Sequence, residues 1–375
     1  MLRIGFDAKR LFANNTGLGN YSRTLVADLF EQFPDNEYVL FTPKIINNSR
    51  TKKFLTGDYE ICSPRYVPRS LWRSALITRD INKSDIDVFH GLSHELPFGI
   101  HKTNTSSVVS IHDLIYKFHP ADFPWIDRKV YDYKFRYACH HAEKIIAISF
   151  STKADIMMHY GVPEEKIEVL YQTCSDIFKH DVPESLVEDT LKHYSLPQNF
   201  LLYVGTINEW KNLLAAVKAI HLLGDSLKIP LLVVGQGKAS KQKVVEYIEK
   251  HKLQSKVIFA PYISSDHLPA LYQRARIFIF PSRYEGFGIP VIEALSRKTP
   301  VITTRMSSLP EAAGQGAHYI DPDDPSTIAE GILKILTSPD YYKYLINQGY
   351  SHIQQFNKKD ITTQLMRIYE RAARG

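Results

Sequence analysis

Two glutamates, Glu285 and Glu293, stand eight positions apart in "YEGFGIPVIE", with Gly286, Gly288 and Pro290 between them. The neighbourhood, "IFIFPS" before and "PVITT" after, is otherwise apolar, and carboxylates placed there need partners. A carboxylate accepts hydrogen bonds from sugar hydroxyls, often two at once. Gly286 and Gly288 permit unusual backbone angles and close approach by a ligand. Pro290 suits the first turn of a helix and not its interior, so a helix is predicted to start at Ile289 or Pro290 and run through "VIEALSR". Glu285 then lies on the loop after a strand, and Glu293 near the start of the helix. Free N–H groups and the dipole at a helix start attract phosphate. Hydroxyls at two places with phosphates between them is the layout of a sugar nucleotide: ribose, diphosphate, sugar. The plainer alternative for Glu293 is a first-turn acid that complements the helix dipole.

Other residues could serve the same ligand. "YVGTINEWKNLLAAV" places Lys211 on the loop between a strand and a helix, where it could neutralise a diphosphate or simply be solvated. "NTGLGNYSRTL" puts Gly17 and Gly19 before a helix. That arrangement suits phosphate or sugar contact, although no third glycine completes a dinucleotide fingerprint. "SSVVSIHDLIY" ends a strand with His112 and Asp113, a pair able to act as base, proton relay or sugar ligand, or to be structural. "VVGQGK" supplies Gly235 and Gly237 for a tight turn, and Tyr262 in "FAPYISS" could touch a nucleobase or pack.

The elements that must position these residues alternate. Strands are predicted at "RIGFD", "EYVLFTP", "DVFHG", "SSVVSIHD", "KIIAIS" and "KIEVLY", then at "FLLYVGT", "LLVVGQG", "KVIFAP", "RIFIFPS", "PVITT" and "AHYIDPDD". Helical patterns such as "NYSRTLVADLFEQF", "FSTKADIMMHYG", "KNLLAAVKAIHLLG" and "SSDHLPALYQRA" lie between them. Val/Ile-rich strands alternating with helices predict α/β, doubly wound parallel sheets, which bind ligands beyond the carboxyl ends of their strands. At 375 residues the chain exceeds one typical core. The expected division is residues 1–175, a polar linker over 176–198, a second domain over 199–355, and a C-terminal helix over 356–375 that could cross back to the first.

Composition sets limits. Hydrophobic residues make up 44% and charged residues 23%, an ordinary globular profile. No apolar run is long enough for a membrane span, and "MLRIGFDAKR" reads as a first strand rather than a signal peptide. Cys62, Cys139 and Cys174 are too scattered for a disulfide framework or a metal site, so a reducing cytoplasm is expected. The net charge of +6 suits an anionic ligand or membrane surface, and without a long basic run or a zinc-finger pattern it argues against nucleic acid. "PRYVPRSLWRSALITRDINK" carries Arg65, Arg69, Arg73 and Arg79 among Tyr66, Leu71, Trp72, Leu76 and Ile77. It reads either as a basic amphipathic segment on an anionic bilayer or as a surface helix with its apolar face on the core.

"FIFPSRYEGFGIPVIEA" resembles the paired-glutamate signature of the retaining glycosyltransferases of family 4, which have the two-domain GT-B fold. "TGLGNYSRTL", "SIHDLIYKFHP", "IIAISFSTKADIMMHYGVPEEKIEVLY", "YVGTINEWKNL" and "SSLPEAAG" follow the family's order along nearly the whole chain. They are most similar to the mannosyltransferase-type branch of bacterial surface polysaccharide assembly. The resemblance implies two Rossmann-like domains facing a central cleft, an N-terminal acceptor side and a C-terminal nucleotide-sugar side. It implies that Glu285 binds the donor sugar's hydroxyls and Glu293 the ribose. Gly286, Phe287, Gly288 and Ile289 would line the sugar and diphosphate, and Lys211 would stabilise the leaving diphosphate. Gly17 and Gly19 would approach the diphosphate, Thr206 and Tyr262 would join the donor side, and Asn20, Tyr21, His112 and Asp113 the acceptor side. Glu285, His112 and Lys211 are the catalytic candidates.

The implied partners are a nucleotide-sugar donor and a saccharide or lipid-linked saccharide acceptor. No metal or other cofactor is implied. The implied location is cytoplasmic, and a lipid-linked acceptor would favour the inner membrane face. The chain departs from the family pattern at Trp210-Lys211, where Arg-Lys is frequent, at Gln172-Thr173 for Asn-Gly, and at Lys298-Thr299 for a small residue and Gly. Arg283 and Arg10 are the candidates to replace the missing cation. A GT-B epimerase or phosphorylase, and a nucleotide-sugar-binding protein or non-catalytic GT-B partner subunit, are the rival readings.

Overall fold

A computed structural model describes residues 1–64 and 68–374. The chain forms two compact units, one of residues 1–172 with 357–375, the other of residues 173–356. The first unit holds seven strands: β1 (Arg3–Asp7), β2 (Glu37–Phe41), β3 (Glu60–Cys62), β4 (Val88–Gly91), β5 (Ser106–Ile111), β6 (Lys144–Ala147) and β7 (Ile167–Val169). They lie in the order β3-β2-β1-β4-β5-β6-β7, and every pairing is parallel. The second unit holds β8 (Leu201–Val204), β9 (Leu231–Val234), β10 (Val257–Phe259), β11 (Ile277–Phe280), β12 (Val301–Thr304) and β13 (Ala317–Ile320). Their order is β10-β9-β8-β11-β12-β13, again all parallel. Strand order reverses between β1 and β4 in one sheet and between β8 and β11 in the other. Those two reversals are where ligands sit in such sheets.

Local chemistry explains the elements. β1, β5, β8 and β11 are apolar runs covered on both faces, so Ile4, Phe6, Val108, Leu201 and Phe278 are fully buried. The helix Phe150–Tyr160 begins where Ser149 accepts from the Thr152 N–H at 3.0 Å and ends at left-handed Gly161. The helix Lys358–Arg374 buries Leu365, Ile368 and Tyr369 in the first unit, roughly 2 kcal/mol for each side chain. Its Tyr369 hydroxyl meets His90 Nδ1 at 2.6 Å, and His90 Nε2 meets Ser110 Oγ at 2.9 Å. Burial pushes His90 down to about 3, so this internal imidazole is neutral.

Three stretches differ from the sequence reading. β3 has no counterpart among the predicted strands: it is a three-residue edge strand that starts on exposed Glu60. The expected linker over 176–198 contains a helix, Glu184–His193, with Val187 and Leu191 buried on one face. Arg297 pins the preceding stretch to the second unit by bonding the carbonyls of Phe178 and His180 and the Asp181 carboxylate. The i, i+4 apolar pair gives this polar segment a buried face, and Arg274, paired with Glu184 and Glu188, adds to its hold on the second unit.

The basic segment read for membranes is also different. Arg65 and Tyr66 lie outside the described residues. Trp72 and Ile77 are in the core, and Trp72 Nε1 donates to Asp80 at 2.6 Å. Arg73 is buried between Asp7 at 2.6 Å and Glu95 at 2.7 Å. The apolar stripe of this segment thus serves the interior, while Arg69, Leu71 and Arg79 remain exposed. Among the described residues no helix is long and apolar enough to cross a membrane.

Candidate active site

The loops leaving β8 and β11 meet at the reversal point of the second sheet. Lys211 Nζ lies 2.5 Å from Glu285 Oε1, and both side chains are mostly shielded from solvent. The ammonium also sits over the Phe280 ring, 4.8 Å from its centroid. The two residues are 74 positions apart in sequence, and only the strand order β8-β11 brings them together. A cation that a diphosphate could take from its carboxylate partner therefore stands beside a carboxylate that sugar hydroxyls could engage.

The Glu285 loop is held from several sides. Ser282 Oγ donates to Glu285 Oε1 at 2.7 Å, and the Glu285 N–H donates to Ser307 Oγ at 2.8 Å. Ser308 Oγ donates to the carbonyls of Glu285 at 2.8 Å and Phe287 at 3.0 Å. Thr304 Oγ1 donates to the Ser282 carbonyl at 2.7 Å. The Arg283 N–H donates to the Trp210 carbonyl at 2.7 Å, which ties the Glu285 loop to the Lys211 loop. Ser282, Ser307 and Ser308 escaped the sequence reading as site residues. "SSLPEAAG" marked the last two, but nothing local says that they reach back to Glu285.

Gly288 is the left-handed N-cap, at φ 114°, of the helix Ile289–Ser296, and Pro290 lies in its first turn. The predicted start of that helix is therefore found. Glu293 comes a full turn in, partly buried, accepting from the Tyr272 hydroxyl at 2.9 Å. Burial pushes its carboxyl up to about 7, against the opposing pull of that hydrogen bond. Gly235 and Gly237 are packing glycines. A Cβ on Gly235 would lie 1.9 Å from the Gly205 carbonyl oxygen, and one on Gly237 2.5 Å from that of Ile207. The turns after β8 and β9 thus lie backbone against backbone.

Tyr262 leaves a strand further along the sheet, whereas Thr206 shares the β8 loop with Lys211. Tyr262 is 74% exposed after the outer strand β10, with β9 between β10 and β8. Thr206 is exposed on the β8 loop, where its hydroxyl accepts from Asn208 Nδ2 at 3.2 Å. Arg283 turns to Asp323 at 2.6 Å and to the Pro322 carbonyl, so its charge is already paired. Arg10, the other replacement cation, belongs to the first unit, and its Nε is sealed from solvent without a hydrogen-bond partner.

In the first unit the acceptor-side candidates gather beyond β4 and β5. His112 Nε2 bonds the Leu92 carbonyl at 2.9 Å, and Nδ1 faces Gln172 Nε2 at 3.1 Å. Both ring nitrogens are thereby occupied. Burial pushes the imidazole down to about 4 against the Leu92 hydrogen bond, so it is neutral near pH ~7. Tyr21 stands edge-on to His112, with ring centroids 4.5 Å apart, and its hydroxyl meets Ser110 Oγ at 2.7 Å. The Asp113 carboxylate accepts from the Ile115 N–H at 3.1 Å, and Asn20 Oδ1 accepts from Arg23 at 2.7 Å. Gly19 is a packing requirement, since a Cβ there would lie 1.9 Å from the Asn14 carbonyl oxygen, whereas Gly17 faces open space. His94, absent from the sequence reading, lies beside His112 with ring centroids 5.1 Å apart and a left-handed backbone at φ 63°. Strain of that kind in a non-glycine residue collects at functional sites. Among the described residues no cluster of three His, Cys, Asp or Glu side chains is placed to hold a metal ion.

Two doubly wound parallel-sheet units in one chain are the architecture of the GT-B class, the fold that the matching families and solved structures share. Known proteins carry the same division. Residues 22–173 match the family model described as Glycosyltransferase Family 4, and residues 192–352 match that for Glycosyl transferases group 1. The chain belongs to these glycosyltransferases, and its similarity is to their mannosyltransferase branch. It is 26% identical to the O-antigen chain mannosyltransferase B of Escherichia coli, over 98% of this chain and 100% of that one. It is 27% identical to the O-antigen chain mannosyltransferase RfbU of Salmonella typhimurium, over 88% and 86%. In structure it superposes on sucrose-phosphate synthase from Thermosynechococcus elongatus with a TM-score of 0.79 at 19% identity, covering 99% of both chains. It also superposes on Anabaena HepE in complex with UDP-glucose with a TM-score of 0.76 at 15% identity, covering 99% of this chain and 100% of that one.

Proposed function

We propose that this chain transfers a mannose-like or glucose-like hexose from a nucleoside-diphosphate sugar to a hydroxyl of a saccharide or lipid-linked saccharide, in surface polysaccharide or glycolipid assembly, with retention at the anomeric carbon. The observation that carries the reading is the Lys211–Glu285 pair at the β8/β11 reversal point. Relatives named as O-antigen mannosyltransferases, similar over nearly their whole length, support the donor and acceptor classes.

In this reading the sugar's hydroxyls engage Glu285, and Lys211 swings its charge to the diphosphate. Glu293 takes the ribose hydroxyls, and the amino end of the Ile289–Ser296 helix adds partial positive charge. The bond from the anomeric carbon to the phosphate oxygen breaks through an oxocarbenium-like state as the acceptor oxygen closes on the same face. The acceptor proton leaves with the nucleoside diphosphate. Stabilising the departing charge and orienting the two substrates are the protein's main contributions. No metal or other cofactor enters the reading.

The test is a panel of nucleoside-diphosphate hexoses, each incubated with and without a mannose-containing oligosaccharide, with release of nucleoside diphosphate followed. Release that depends on the acceptor is expected. Binding without release across the panel would replace transfer by a binding role, and donor-sugar conversion without acceptor would make the protein an epimerase.

A further inference from the structure

β4 and β5 carry polar residues on a face that packs as core. His90 is level with Phe6 of β1 and Val108 of β5, and Ser110 lies two positions further along the same face. Phe6, Val108 and Tyr369, the last from the helix Lys358–Arg374, belong to one apolar cluster there. His90, Ser110 and Tyr369 are all fully buried. Polar groups in such a place must be paired. They are paired in a chain: the Tyr369 hydroxyl with His90 Nδ1 at 2.6 Å, His90 Nε2 with Ser110 Oγ at 2.9 Å, and Ser110 Oγ with the Tyr21 hydroxyl at 2.7 Å. Tyr21, in the helix Gly17–Gln32, is the outermost member. It is only partly buried, and its ring stands edge-on to His112.

The chain has a direction. The His90 imidazole is neutral, so it donates from one nitrogen and accepts at the other. With hydroxyls on both sides, either sense satisfies the ring, and the two ends decide. Among the described residues, the Tyr369 hydroxyl bonds His90 alone. If His90 Nδ1 donated to it, the Tyr369 proton would lie in the core without an acceptor, at the full cost of its desolvation. The Tyr369 hydroxyl therefore donates to Nδ1, the Nε2–H of His90 donates to Ser110 Oγ, and the Ser110 hydroxyl donates to the Tyr21 oxygen. The proton left over is that of Tyr21, at the end of the chain that a ligand can reach.

We propose that this chain fixes His90 as its Nε2–H tautomer and makes Tyr21 a hydrogen-bond donor to a hydroxyl oxygen of the acceptor saccharide. Naming a saccharide rests on the function proposed above, whereas the direction of the chain does not. Tyr369, His90 and Ser110 are positioning residues, because they act on the ligand only through Tyr21. The C-terminal helix thus reaches the ligand face of the first unit through hydrogen bonds as well as through packing. The Tyr21 bond orients the acceptor, and no proton is transferred along the chain.

The test has two parts. In the full chain carrying isotope-labelled histidine, nitrogen NMR reads the tautomer of His90, its signals assigned by their loss in His90→Gln. A protonated Nε2 and a bare Nδ1 are expected, and the reverse would overturn the inference. This reading needs no substrate and uses the wild-type chain, so it decides the question even if another variant fails to fold. With a donor and acceptor that the wild type turns over, Tyr369→Phe and Tyr21→Phe should each raise the acceptor KM about fivefold and leave the donor KM as it is. Together they should cost no more than Tyr21→Phe alone, because both break one chain. An acceptor KM that Tyr369→Phe leaves unchanged, or effects that add in the double variant, would overturn the inference. So would a donor KM that rises equally, the mark of general loosening. Absence of hexose transfer alongside the expected tautomer would instead remove the proposed function and leave the direction of the chain standing.

Discussion

Glu293 offers a perturbation whose size can be worked out. Its carboxyl titrates at about 7 in the folded protein against an ordinary 4.5, because burial disfavours the ionised form. The native state therefore binds a proton that the unfolded chain has released between those two values, and stability is lost as pH rises through that window. A shift of this size corresponds to on the order of 3 kcal/mol at alkaline pH. Glu293→Gln keeps an acceptor for the Tyr272 hydroxyl and removes the ionisation. The variant should match the wild type near pH ~4.5 and exceed it by up to about 3 kcal/mol above pH ~7.5, which denaturant unfolding of the second unit across pH would read.

The same proton controls the proposed ribose contact. Hydroxyls donate best to the carboxylate, so apparent donor affinity should weaken about fivefold over the first pH unit below 7 and about tenfold over the next. A nucleotide sugar is the right ligand, because its diphosphate diester carries no proton that titrates in this window. Titration calorimetry of donor against pH should show this slope in the wild type and none in Glu293→Gln. Parallel stability profiles, or a slope that survives in the variant, would refute both the buried-acid account and the ribose role.

Gly288→Ala forces a side chain onto a backbone at φ 114°, with its Cβ 3.2 Å from Leu309 Cδ2 and 3.3 Å from Ala312 Cβ. A cost of about 1–3 kcal/mol is expected, together with weaker donor binding, and thermal denaturation with and without nucleotide sugar checks both. Arg73→Met leaves Asp7 without its guanidinium partner and Glu95 with Lys134 alone. The first unit should lose about 3–5 kcal/mol in urea unfolding, and adding Asp7→Asn should recover part of it.

The alternation of apolar runs and amphipathic segments made both parallel sheets legible, because buried parallel strands need continuous Val, Ile and Leu. β3 was not legible, since three residues at an edge, beginning with Glu60, carry no such pattern. Glu285, Lys211 and the helix start at Ile289 could be named from their local turns. The serine collar could not, because Ser307 and Ser308 lie more than twenty positions from Glu285 and their role exists only once β11 and β12 pair. Trp72 and Trp125 show the limit of pattern reading. Each sits in a basic, aromatic stretch, yet one is in the core and the other in solvent. Amphipathicity says that a face exists, and only the packed structure says what covers it.

The Lys211–Glu285 pair carries the central claim, and steady-state transfer tests it most directly. With a nucleoside-diphosphate hexose and acceptor that the wild type turns over, Lys211→Ala and Glu285→Ala should each lower kcat/KM by about a hundredfold or more. Turnover left intact in both variants would contradict the assignment of this site.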